Sequence, residues 1–201
     1  MNTRFYNLGR HFLRPFYNLF WPSKVTGEEN IPDEGGFILC SNHVHMRDPL
    51  FLAVRLPKRH FTFLAKAELF KNPILGFLIG DKGLGAIPIN RGHSDLGAIR
   101  EALKTIANGH GLGIFPQGTR SRDNTPTPML NGVSMIAVRA KVPIIPVYID
   151  GPYRLFHHVD VTVGAPVDIS DLGNRYDSAT LTEVTSRISS AIWQAEPARS
   201  R

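Results

Sequence analysis

The chain has 201 residues, 42% of them hydrophobic, one cysteine, and 23 lysines and arginines against 17 acids, for a formal net charge of +6. That length and apolar fraction support one domain with a real core rather than two large ones, and the lone Cys40 excludes an internal disulfide framework and a Cys-rich zinc site. The positive charge favours a polyanionic partner, whether nucleic acid, an anionic membrane face or a phosphorylated small molecule.

At the start of the chain Phe5, Leu8, Phe12, Phe16 and Leu19 recur at helical spacing, with Arg4, Arg10, Arg14 and Asn18 on other faces and no acid before Glu28. The pattern predicts a basic amphipathic helix, bent at Pro15 because proline removes a backbone donor and crowds the preceding turn. Such a helix either docks on its own domain or lies in the headgroup layer of a membrane. A cationic face opposite large aromatics, with Trp21 at its end, suits the second.

From Asn30 onward, strand-like and helix-like segments alternate. GFILCSN reads as a buried strand, PLFLAVRL as a short helix, HFTFLA as a second strand and GLGAIPIN as a third. Leu96, Ile99, Leu103 and Ile106 mark the inner face of a helix closed by Asn108-Gly109. GLGIFP follows as a strand, then a helix near Met129 to Arg139, the strand VPIIPVYID, a late strand VDVTVG and a terminal helix over about 178–194. NTPTP, residues 124–128, is the clearest loop. Strands separated by helices predict a single layered α/β domain, with a mostly parallel or mixed central sheet flanked by helices and preceded by the amphipathic helix. Apolar stretches such as PILGFLIG, residues 73–80, fall far short of the roughly 18–20 residues needed to span a bilayer. No early apolar block precedes a small-residue cleavage site, so the expectation is a peripheral protein in a reducing, cytoplasmic compartment.

Two stretches carry candidate chemistry. In SNHVHMRDPLF, residues 41–51, Asp48-Pro49 looks like a helix start with aspartate as N-cap. His43 lies just past a strand end, so a folded-back loop can bring its imidazole to the Asp48 carboxylate, fixing the tautomer and raising the basicity of the other ring nitrogen. Asp48 can do both jobs. His43 and His45 also invite a metal reading, but no third ligand, HExxH pattern or cysteine cluster completes a site. Cys40, inside the run FILC, reads as a small buried hydrophobe rather than a nucleophile.

The second stretch is IFPQGTRSRD, residues 114–123. Gly118 lets backbone amides approach a ligand, Thr119 and Ser121 add hydroxyls, and Arg120 offers a planar fork matched to phosphate oxygens. It reads either as an anion cradle or as a surface turn with a solvated arginine. Arg91, closing GAIPINR, is a further candidate, since strand ends in α/β folds gather at one crevice. Nucleic-acid binding is not expected, because the basic residues lack aromatic platforms or a recognition-helix pattern.

These blocks, in this order, resemble those of the 1-acylglycerol-3-phosphate O-acyltransferases, the lysophosphatidate acyltransferases of glycerolipid synthesis. SNHVHMRDPLF is similar to the family's H-x-x-x-x-D block, GAIPINR to G-x-x-F-x-x-R, FPQGTR to F-P-E-G-T-R and VPIIPV to V-P-x-x-P-V, over roughly residues 25–167. The resemblance implies acyl transfer from acyl-CoA or acyl carrier protein to the sn-2 hydroxyl of lysophosphatidate, giving phosphatidate, with no cofactor. His43 would be the general base, Asp48 its orienting partner, and Arg91, Gln117, Gly118, Thr119 and Arg120 the substrate-binding residues. The loop around Gly118 would supply backbone donors to the oxyanion, and Leu69 to Ile79 would line the acyl groove or dip into the membrane. Residues 1–24 are then a segment associating with the anionic inner face of the cell membrane, and 25–201 the acyltransferase domain. Three departures stand out: Gln117 for the family's glutamate, Pro88 for its phenylalanine and Asn90 for its aspartate. Two missing carboxylates leave the expected acceptor pocket more positive, keeping phosphate binding while weakening control of the hydroxyl. Acylation of another lipid hydroxyl or amine, or non-catalytic lipid binding, are the alternative readings.

Overall fold

Apolar runs without a polar alternate, such as FILCS and IIPVYI, demand cover on both faces. The structure, a computed structural model describing residues 3–197 apart from 81–82, 91–94, 122 and 174, supplies it with one sheet between two helical layers. Among the described residues the strands are β1 (Val25–Thr26), β2 (Phe37–Ser41), β3 (Phe61–Lys66), β4 (Ile87–Ile89), β5 (Gly111–Ile114), β6 (Ile144–Ile149) and β7 (Val161–Val163). Their spatial order is β1-β7-β6-β2-β5-β3-β4, parallel throughout except for β6 against β7. The helices are α1 (Thr3–Phe20), α2 (Asp48–Arg55), α3 (Pro73–Ile79), α4 (Leu96–Ala107), α5 (Gly132–Ala140) and α6 (Ser178–Gln194). The expected mixed α/β sheet with a preceding helix is therefore present.

Strand periodicity sorts the core. Along β2, Phe37 and Leu39 join the cluster beneath α1 and α2, while Ile38 and Cys40 join the one beneath α4, α5 and α6. Cys40 is fully buried there, and burial pushes its thiol pKa up, so it packs as a hydrophobe and is no nucleophile. α4 differs from its expected register. Ala98, Ala102 and Ile106 are the buried stripe, Ile99 and Leu103 are only partly buried, and Leu96 is exposed. Two alanines at i and i+4 let the helix lie close to the sheet, which larger side chains would hold off. β4 keeps only three residues of the predicted GLGAIPIN strand, and it lies at the sheet edge, where Pro88 costs no ladder bond to a further strand.

The N-terminal helix is docked on its own domain. α1 continues through Pro15, packs Leu13 and Tyr17 into the cluster that holds α2 and sets the Tyr6 ring on His60, while Leu8, Phe12, Phe16 and Leu19 face outward. Arg55 of α2 donates to the carbonyl of Trp21, just past the helix end, and adds a second donor to that of Tyr17, which also accepts from the Trp21 N–H. Trp21, expected at the membrane end of the segment, is instead buried at 3% exposure among Tyr17, Phe51 and Tyr153. The tyrosine stripe adjoining the aromatic one carried the docking signal. α3 was not anticipated as a helix. It starts where Asn72 caps the amides of Ile74 and Leu75, and it buries no residue.

Gly113 shows how the sheet shapes the site. A methyl group there would stand 2.3 Å from the ring of Phe63, and that ring stacks on Phe115, which stacks on His43. Gly113→Ala is expected to cost about 1–3 kcal/mol of stability through overpacking and to displace the ring stack. Denaturant unfolding checks this, and a variant as stable as the parent would contradict the packing argument.

Candidate active site

β2 and β5 are parallel neighbours with Cys40 opposite Ile114, so the chain leaves both strands side by side. Residues 41–47 and 115–121 therefore meet beyond the carboxyl edge of the sheet, where parallel α/β folds place their sites. Two hydrogen bonds stitch them at one residue. The His43 N–H donates to Gln117 Oε1 at 2.8 Å, and the His43 carbonyl accepts from the Ser121 N–H at 2.8 Å. Asn42, fully buried, ties the same turn to β6, its amide oxygen accepting from Ile149 N–H and its nitrogen donating to the Ile149 carbonyl and to Asn124.

With its backbone held, the His43 ring is fixed from two directions. It stacks on Phe115 at 4.1 Å between centroids and 21° between planes. Its Nδ1 lies 2.7 Å from Asp48 Oδ2. That carboxylate oxygen also accepts the N–H groups of Val44 and His45 at 2.8 and 2.9 Å. Asp48 is thus not the N-cap of α2. Arg47 holds that position, Asp48 opens the helix with Pro49 following, and its side chain turns back onto the preceding loop. The helix N-terminus favours a negative charge at the place where this fully buried side chain sits. The Asp48 carboxylate accepts the hydrogen bond from Nδ1–H, so Nε2 carries the lone pair. The imidazole is 12% exposed, enough to meet a substrate and little enough to hold its orientation.

The remaining candidates divide. Arg120 and Thr119 are exposed at the rim, and Arg120 is near enough to His45 that its charge helps depress that imidazole, after burial and Arg47. His45 Nδ1 accepts from Arg47 N–H, so its other nitrogen carries the proton. Gly118 occupies the left-handed region at φ 65°, as its selection for a tight turn requires, and its N–H is committed to the Phe115 carbonyl rather than free for an oxyanion. Arg91 lies outside the described residues. Asn90 donates from backbone and side chain to Asp95, which also caps α4 at Ala98, so an aspartate at 90 would face a like charge.

Gln117, expected among the substrate-binding residues, is 4% exposed, and both ends of its amide bind the protein: Oε1 accepts from His43 and Nε2 donates to Thr127 Oγ1 at 2.7 Å. The NTPTP loop, legible as a loop, supplies this partner and Asn124. Sequence reasoning also passed over Phe115 and Asn42, whose signal was their position beside the two blocks. A glutamate at 117 would accept from the same His43 N–H and from the Thr127 hydroxyl. Gln117→Glu is therefore expected to keep stability within about 1 kcal/mol and turnover within about twofold, whereas Gln117→Ala leaves the His43 N–H unpaired and costs about 1–3 kcal/mol. Unfolding curves and steady-state rates check both. A large gain in turnover for Gln117→Glu would mean that residue 117 touches substrate.

Comparison with known proteins agrees with this geometry. A family model described as Acyltransferase matches residues 22–150. The 1-acyl-sn-glycerol-3-phosphate acyltransferase of Bacillus subtilis is 28% identical over 178 residues, 86% of this chain and 87% of that protein. The enzyme of that name from Streptococcus pneumoniae is 34% identical over 167 residues, covering 80% of this chain and 61% of its own length. The crystal structure of the 1-acyl-sn-glycerophosphate (LPA) acyltransferase PlsC from Thermotoga maritima superposes with a TM-score of 0.72 at 27% identity, covering 99% of this chain and 80% of that one. The four ordered sequence blocks, the shared fold and a family match across more than half the chain lead to one conclusion: this protein belongs to the Acyltransferase family.

Proposed function

We propose that the protein acylates the sn-2 hydroxyl of 1-acylglycerol 3-phosphate, taking the acyl group from the thioester of acyl-CoA or acyl carrier protein and giving phosphatidate. The observation that carries this reading is the Asp48–His43 pair, with Oδ2 on Nδ1 and Nε2 left basic. The acceptor hydroxyl oxygen attacks the thioester carbonyl carbon as its proton passes to His43 Nε2. The tetrahedral intermediate collapses with cleavage of the C–S bond, and the imidazolium returns the proton to the departing thiolate. No acyl-enzyme forms. Asp48 steadies the imidazolium throughout, and Arg120, with Arg91, holds the phosphate through charge-assisted bonds. The names of the bacterial relatives support the substrate. Non-catalytic lipid binding, for which Gln117 was the motive, loses that support because the amide serves the loop and not the pocket.

Residues 1–24 serve as the membrane-associating segment of the 25–201 acyltransferase domain, at the inner face of the cell membrane. Among the described residues no helix is long and apolar enough to cross a bilayer. Instead, Leu8, Phe12, Phe16 and Leu19 of α1 are exposed, and Phe5 contacts Phe77 of α3, whose Ile74 and Leu78 are also exposed. The exposed apolar side chains of the two helices are linked at that ring contact.

His43→Ala is expected to lower thiol release from an acyl thioester in the presence of lysophosphatidate by about 10²–10⁴-fold, with the fold unchanged by circular dichroism. Near-normal turnover by a folded variant would sink the mechanism. For the surface, Leu8→Ser combined with Phe12→Ser removes two apolar anchors worth about 1.5–3 kcal/mol each when fully buried. Sedimentation with anionic vesicles should fall at least tenfold while turnover on detergent-dispersed substrate persists. Unchanged sedimentation would place the membrane contact elsewhere.

A further inference from the structure

Asp48 is fully buried, and the three donors described above all converge on Oδ2; Oδ1 completes no hydrogen bond with any described group. The hydroxyl of Tyr153 is in the same condition: buried, and without a bond of ordinary length and angle. The two groups are neighbours. After burial, Asp48 has the largest effect on the Tyr153 phenol, through its charge and as a hydrogen-bond acceptor, and together they hold that pKa well above the usual tyrosine value. A phenol so raised stays protonated, and a carboxylate can only accept, so the one bond open to the pair runs from Tyr153 to Asp48.

The surroundings fix the ring. Tyr153 lies 6.0 Å from Trp21, 5.3 Å from Phe51 and 5.3 Å from His45, between α1, α2 and the loop of the dyad. Its segment leaves the carboxyl end of β6 and crosses tightly over that loop, where a Cβ on Gly151 would stand 3.0 Å from the Val44 side chain. We propose that Tyr153 is a positioning residue for the reaction, its hydroxyl donating to Asp48 Oδ1 and so locking the plane of the carboxylate that aims Oδ2 at His43. A carboxylate bound through one oxygen can still rotate about its χ2. A donor on the second oxygen removes that freedom and occupies the only acceptor the buried group leaves unpaired. The proposal rests on acyl transfer at this site, and it assigns to the turn after β6 a part in the chemistry.

Tyr153→Phe keeps the ring and removes only the hydroxyl. The variant is expected to lose about tenfold or more in kcat while KM for both substrates stays within about twofold. If the hydroxyl acts through Asp48, adding Tyr153→Phe to Asp48→Asn should slow the enzyme no further, because the two residues form one unit. A readout independent of turnover is the low-field proton resonance of His43 Nδ1–H, which should shift or broaden in Tyr153→Phe without substrate. Losses that multiply in the double variant, or a kcat and resonance both unchanged, would overturn the proposal. If the parent protein acylates no lysolipid, the proposed function fails, and the resonance then decides the role of Tyr153 by itself.

Discussion

The pairing of β2 with β5, closed at its carboxyl end by the two hydrogen bonds on the His43 backbone, is the constraint on which the rest of the site depends. A histidine two residues past a strand end would ordinarily sample many orientations. Here its N–H and its carbonyl are both held by the loop that follows the neighbouring strand, and that loop is held in turn by Thr127 and Asn124. The register of a parallel pair thus becomes the position of an imidazole. The ring needs only two further restraints, the Phe115 face and the Asp48 oxygen, to be left with one basic nitrogen toward solvent.

Asp48 illustrates how a fold reassigns a residue with two plausible uses. A carboxylate at a helix start is commonly spent on the helix's own amides. In this chain it reaches backward, collects the amides of Val44 and His45, and thereby shapes the same loop whose histidine it orients. Loop geometry and dyad geometry are therefore one arrangement. The positive end of α2 stabilises the charge without consuming a lone pair.

The positions where the chain departs from its family's pattern acquire physical reasons in the same way. Pro88 sits on the edge strand, with no strand beyond it among the described residues to require its donor. Asn90 is paired with Asp95, and an amide fits beside a carboxylate where an acid would repel it. Gln117 keeps the hydrogen-bonding shape of a glutamate while binding two loops together. α1, meanwhile, has room for buried tyrosines toward its own domain and an exposed apolar stripe beside them.

The sequence by itself determined the α/β class, most of the strands and helices in their order, and the burial of β2, because periodicity and unbroken apolar runs report burial directly. A histidine and an aspartate five residues apart are a weak sign alone, and it was the resemblance of the four ordered blocks that chose their pairing. Only the tertiary structure decided the rest. That Gln117 faces His43 rather than substrate, that Trp21 lies inside, and that α4 buries its alanines depend on which surfaces meet. The same holds for Phe115 and Tyr153, which come to the dyad from strands distant in the chain. Contacts of that kind are set by strand order and register, and a local pattern of residue types carries no record of either.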